Sequence, residues 1–127
     1  MLIENFSVRF ENGRAVEVHA EKNEEALKLM IAMDEGACKL GECALVPYDS
    51  PINRSGILFY NTLFDENASC HLALGMGYSS CLKDFEKYTP EEARELGVND
   101  SMIHEDFMIG TPDLCITGIT EDGREVP

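Results

Sequence analysis

The sequence predicts an α+β fold: a mixed, mostly antiparallel sheet with hairpins at both termini and two or three helices between them. Three observations carry that class. Two alternating apolar segments near the start flank Asn12-Gly13, and Asn-Gly is the strongest short hairpin signal. Stretches from Asn23 and from Thr89 carry helix-start chemistry. Glu121-Asp122-Gly123-Arg124 opens a second hairpin, whose second strand is cut off at Pro127.

The elements follow in order. Phe6, Val8 and Phe10 alternate with Ser7 and Arg9, and Val16, Val18 and Ala20 alternate with Glu17, His19 and Glu21. This is the period of two half-buried strands, with His19 on the solvated face. Asn23 is expected to cap a helix whose first turn holds Glu24 and Glu25. Ala26, Leu27, Met30, Ile31 and Ala37 continue it at helical spacing, and Gly41 is expected to stop it. Gly41 to Pro47 reads as an apolar strand with a carboxylate, Glu42, at its mouth, and Ser50 to Gly56 as a Pro/Ser/Arg/Gly loop. His71 to Leu74 forms the next strand, and Leu82, Phe85 and Tyr88 fit one helical turn. Thr89-Pro90-Glu91-Glu92 starts a helix that ends at Gly97. His104, Asp106 and Met108 share one face of a strand, and Leu114 to Thr120 forms another.

A chain of 127 residues is one domain by length, and 44% hydrophobic content provides one real core. The formal charge of -14 argues against nucleic acid or an anionic membrane surface, which need basic residues to replace counterions. Apolar runs such as Cys43 to Val46 and Gly56 to Phe59 are far too short to span a bilayer. No charged leader with an apolar core opens the chain, so the expected location is cytoplasmic. Five cysteines with no C-x-x-C pair read as free thiols. Cys70 and His71 do not read as a nucleophile pair, because neighbours in a strand face opposite ways.

Chemistry concentrates in a few acids and histidines. His104-x-Asp106 puts an imidazole and a carboxylate on one strand face, with Cα atoms about 6.5–7 Å apart. Glu66 and His71 converge if a short helix ends between them and the chain turns into a strand. Glu42 at the start of an apolar strand is costly to bury unless paired or bound to metal. Three carboxylates and two imidazoles suit zinc, cobalt or manganese better than calcium, which prefers oxygen alone. The bland alternative is a set of structural ion pairs.

The stretch ECALVPYDSPINRSGILFYNTLFDENASCHLALGMGY, together with His104-Glu105-Asp106-Phe107-Met108-Ile109-Gly110 and Thr117-Gly118-Ile119-Thr120-Glu121-Asp122-Gly123, closely resembles the thermophilic-type dinuclear metallo-aminopeptidases. That family includes the bacterial aminopeptidases T and S and PepS, and the resemblance covers nearly the whole chain. It implies a homodimeric, two-domain exopeptidase that uses two divalent ions to release N-terminal residues from peptides. Carried over by position, Glu42 resembles the carboxylate that bridges the metals. Glu66, His71, His104 and Asp106 resemble further ligands, and Tyr78 resembles the active-site tyrosine. The family's N-terminal domain and an upstream ligand glutamate have no counterpart here, and Met1 to Phe6 resembles an internal start. Residues 1–127 are therefore expected to form a single domain, a fragment of the C-terminal metal-binding domain with an incomplete dinuclear site. The alternative expectation, from another class, is a non-catalytic domain remnant that associates with itself.

Overall fold

The computed structural model describes residues 2–127; Met1 lies outside the described residues. The chain divides into two compact units. The first takes residues up to Ala44 together with His71–Phe107, and the second takes Leu45–Cys70 with Met108–Pro127.

The first unit begins with the predicted hairpin, β1 (Glu4–Glu11) and β2 (Arg14–Lys22), paired antiparallel. Asn12 and Gly13 both have positive φ, 49° and 77°, the pair of angles a two-residue I′ turn demands. Val8 lies opposite Val18 and Phe6 opposite Ala20, but the register shifts by one between Arg9 and Phe10. Val16 is the extra residue of that bulge, so the inward position expected for it passes to Ala15. Ala15 is accordingly buried and donates its N–H to Cys38 O at 2.6 Å, while Val16 is exposed. His19 sits on the surface between Glu17 and Glu24, as its place in the alternation implies.

Helix α1 (Glu24–Ile31) buries Leu27 and is laced by a Glu24–Lys28 pair at 2.6 Å. Asn23 does not cap it through its side chain. The residue is left-handed (φ 60°), and its amide donates to Leu2 O instead. The helix also stops at Ile31, well before Gly41, the expected terminator. Asp34 is the reason. Its carboxylate accepts the N–H groups of Gly36, Ala37 and Met102 and the hydroxyl of Ser101, which turns the chain out of the helix.

Three strands then make the central sheet: β3 (Leu40–Ala44), β4 (His71–Gly75) and β5 (His104–Met108), with β4 in the middle. Strands β3 and β4 are antiparallel, Ala44 opposite His71 and Glu42 opposite Ala73. Gly41 is the bulged residue of β3, where the register shifts. Hydrogen bonds from Met76 N–H to Ile103 O and from Ile109 N–H to Cys70 O frame β4 and β5 as a second antiparallel pair. Ala73 and Leu74 are buried, together with Val18, Leu27, Ala37, Cys38, Ala93 and Ile103. Two 3₁₀ turns, Ser79–Cys81 and Phe85–Lys87, replace the single helical turn expected there. Helix α4 (Pro90–Glu95) starts as predicted, with a reciprocal capping box between Thr89 and Glu92 and proline in the first turn.

The second unit contains two single-turn helices, labelled by chain order α2 (Pro51–Ser55) and α3 (Thr62–Asp65). The stretch expected as a loop is thus helical. Ser50 Oγ accepts the Asn53 N–H at 3.1 Å, Pro51 pre-sets the first turn, and Gly56 closes it at φ 62°. A 3₁₀ turn, Glu66–Ala68, follows α3. At the far end β6 (Gly118–Ile119) pairs antiparallel with β7 (Glu125–Val126). The strand expected over 114–120 contracts to two residues because its partner strand is only two residues long. The α+β class, the antiparallel pairing and the two terminal hairpins are as the sequence predicts. Among the described residues no helix is long and apolar enough to cross a membrane.

Candidate metal centre

The register of the central sheet explains why residues distant in sequence meet. Ala44 lies directly opposite His71, and side chains alternate, so Glu42 shares the face of Ala44 and reaches His71 diagonally. His71 Nε2 lies 3.1 Å from Glu42 Oε1. On β5 the same alternation aligns His104 with Asp106. His104 Nε2 is 3.4 Å from Glu42 Oε2 and 3.4 Å from Asp106 Oδ1. One ligand atom from each of Glu42, His71 and Asp106 lies within 4.8 Å of the others.

The cluster is largely buried. The side chain of His71 is 3% exposed, that of Asp106 11% and that of Glu42 24%. Two carboxylates within 4.8 Å of one another repel by at least roughly 3 kcal/mol at an effective dielectric near 20. Asp106 Oδ1 is fully buried and, among the described residues, has no hydrogen-bond partner. The imidazole nitrogen 3.4 Å away lacks hydrogen-bonding alignment to it. Leaving such an oxygen unsatisfied costs about 1–3 kcal/mol, and more when it is charged.

His104 Nδ1 lies 2.7 Å from Met76 O, and a carbonyl only accepts, so Nδ1 carries the hydrogen. Nε2 then presents either a second proton or a lone pair to Glu42 and Asp106. A cation in front of these atoms answers the orphaned oxygen, the carboxylate repulsion and the lone pair at once. Mixed imidazole and carboxylate donors fit a divalent transition metal, and the residues present fit that group. Histidine ligands that hand their other N–H to a carbonyl are the usual companions of such a site.

Four of the six residues singled out from the sequence, Glu42, His71, His104 and Asp106, therefore converge on one face of the β3–β4–β5 sheet. Tyr78, on the loop after β4, packs its ring against His104 with centroids 5.0 Å apart and stays half exposed. Glu66 belongs to the second unit, where it opens the 3₁₀ turn after α3, with the short helix and following strand that the sequence suggested. The sequence joined His71 to Glu66. The resemblance groups His71 with Glu42 in one site, and the antiparallel register of β3 and β4 is what brings the two into direct contact. The Met76 carbonyl was missed as well, and a backbone acceptor leaves no mark in sequence.

A family model described as thermophilic metalloprotease (M29) matches residues 1–127. The aminopeptidase AmpS of Bacillus subtilis (strain 168) is 55% identical over 126 residues, covering 99% of this chain and 31% of that protein. Aminopeptidase T of Thermus aquaticus is 50% identical over 126 residues, 99% of this chain and 30% of its own length. The solved structure of wild-type AmpT from Thermus thermophilus superposes with a TM-score of 0.85 at 46% identity, covering 98% of this chain and 30% of that one. The chain thus spans about 30% of the length of the relatives it matches. With the family model matching end to end, the chain belongs to the thermophilic metalloprotease (M29) family.

Proposed function

We propose that this chain is the metal-binding part of an aminopeptidase, a single functional domain that holds divalent ions for hydrolytic release of N-terminal residues from peptides. The observation that carries this reading is the buried Asp106 Oδ1 without a hydrogen-bond partner, facing Glu42 and two imidazole nitrogens. Names given to the relatives, aminopeptidase in each case, support the peptide substrate.

In this reading Glu42, His71, His104 and Asp106 are ligands, Glu42 is the carboxylate shared between two ions, and Glu66 is a further ligand. The ions are zinc, cobalt or manganese, in keeping with nitrogen and oxygen donors. When bound, divalent ions supply an acidified water and polarisation of the scissile carbonyl. The chain's own residues do the rest. His71 and Asp106, largely removed from solvent, keep the site's dielectric low and its charges strong. The Tyr78 hydroxyl donates a hydrogen bond to the oxygen on which negative charge develops. Its ring is steadied by His104, which supports that role.

A cytoplasmic location is supported by five thiols that are all free. Homodimer formation, and the alternative of a non-catalytic self-associating remnant, is supported by the second unit's exposed Ile57, Leu58, Tyr60 and Leu63. The test is to load the chain with zinc, cobalt or manganese, desalt, count ions per chain, and assay loaded protein on short peptides. Metal uptake that is lost in His104→Ala supports the reading. Unchanged metal content in that variant contradicts the ligand assignment.

A further inference from the structure

The Met76 carbonyl that fixes His104 is itself held by a residue outside the cluster. Its peptide unit runs from Met76 C=O to Gly77 N–H, and that N–H donates to the main-chain carbonyl of Asn99 at 2.8 Å. One unit earlier, Gly75 O accepts from Asn99 Nδ2 at 2.6 Å, and Met76 N–H donates to Ile103 O at 2.7 Å. Asn99 gives its second amide hydrogen to Gly36 O at 2.9 Å, so both donors are used and the side chain is locked. Gly75 makes the path possible with φ 100°, which an L side chain rarely adopts. Gly41 does so by lacking a Cβ, which would collide with the carbonyl oxygens of Gly75 and Met76. Successive peptide planes are thereby pinned, and the last of them aims its oxygen at His104 Nδ1.

We propose that Asn99 is a positioning residue for His104, acting through the Gly75–Gly77 backbone to hold the Nδ1–H tautomer and turn Nε2 toward Glu42 and Asp106. The proposal deepens the metal reading and rests on it for its purpose. Its geometry can be tested without metal. In the native state the Asn99 amide hydrogens are both committed, so alanine keeps the backbone bond to Gly77 N–H but frees Gly36 O and Gly75 O, which loosens the peptide immediately before the one that carries Met76 O.

The experiment is nitrogen-15 NMR of the three histidine rings in metal-free protein above neutral pH, followed by zinc competition with a chromophoric chelator. Wild type is expected to show His104 protonated at Nδ1. Asn99→Ala is expected to show a tautomer mixture and zinc binding weakened about 10- to 100-fold, the usual loss for an outer partner. Asn53→Ala, which also removes one side-chain bond to a carbonyl (Tyr48 O), is expected to move neither readout. A wild-type His104 that carries its proton on Nε2 and none on Nδ1 overturns the proposal whether or not any variant folds. So does a folded Asn99→Ala protein with wild-type tautomer and zinc affinity. Should wild type take up no zinc, the proposed function falls, and the tautomer comparison alone decides the positioning role.

Discussion

Replacing Asp106 by asparagine tests whether the cluster is a metal site or a set of ion pairs, because the two readings predict opposite signs. In metal-free protein the Asp106 carboxylate is a liability: one oxygen is buried without a hydrogen-bond partner, and a second carboxylate lies within 4.8 Å. Asp106→Asn keeps a polar atom in the buried place but removes the charge, and with it the repulsion from Glu42, at nearly constant volume, so metal-free protein should gain about 1–3 kcal/mol. For a chain of this length 1 kcal/mol moves the melting midpoint by roughly 4 °C, so the expected rise is about 4–12 °C. Zinc should reverse the order. At a free concentration one hundred times Kd, wild type gains about 2.7 kcal/mol, or about 10 °C, while the variant gains little. The chain has no tryptophan, so melting is best followed by far-ultraviolet circular dichroism, with and without zinc. A variant less stable than wild type in metal-free buffer, with zinc moving neither protein, would refute the reasoning. Asp106 would then be a structural partner of His104, and breaking such a buried pair costs about 3–5 kcal/mol.

Ser50→Ala removes the α2 cap and the hydroxyl donated to Ala68 O at 2.9 Å, so it should cost about 1–2 kcal/mol, read as a lower urea midpoint at unchanged slope. Thr89→Ala should cost about 1 kcal/mol through loss of the α4 capping box, and an unchanged midpoint would count against that box. Asp34 gives a pH signature. The Met102 N–H, then the Ser101 hydroxyl and the Ala37 and Gly36 N–H groups, hold its carboxyl below the usual aspartate range. A folded value below the unfolded one means that the stabilisation is complete above the unfolded value and is lost as pH falls through the folded one. The stability gap between wild type and Asp34→Asn should therefore be level above about pH 5 and narrow below about pH 4. A gap that widens on acidification would contradict this.

Much of the fold was legible because its signals are local. Asn12-Gly13 and the Thr89-Pro90-Glu91-Glu92 run specify their turn and helix start through backbone angles and caps that the residues themselves favour. What was missed depends on partners far along the chain. Helix α1 ends where it does because Asp34 finds Ser101 and Met102, which no window around Asp34 contains. Val16 faces outward because one bulge shifts the phase of β2, and alternation alone gives no sign of a bulge. The composition of 50–56 suggests a loop, but the order of its Ser, Pro and Gly is that of cap, first turn and terminator, and residues 51–55 are helical. In the candidate site, His104 and Asp106 were visible as a pair because they are two apart on one strand. Glu42 and His71 were visible singly, but their meeting is a matter of register between β3 and β4.

The measurement that bears most directly on the central claim is the metal content of the purified chain after incubation with zinc or cobalt and desalting. The expected result is bound metal that Asp106→Asn and His104→Ala each lose. Protein that emerges without metal at every concentration tried, with an unchanged melting midpoint, would contradict it.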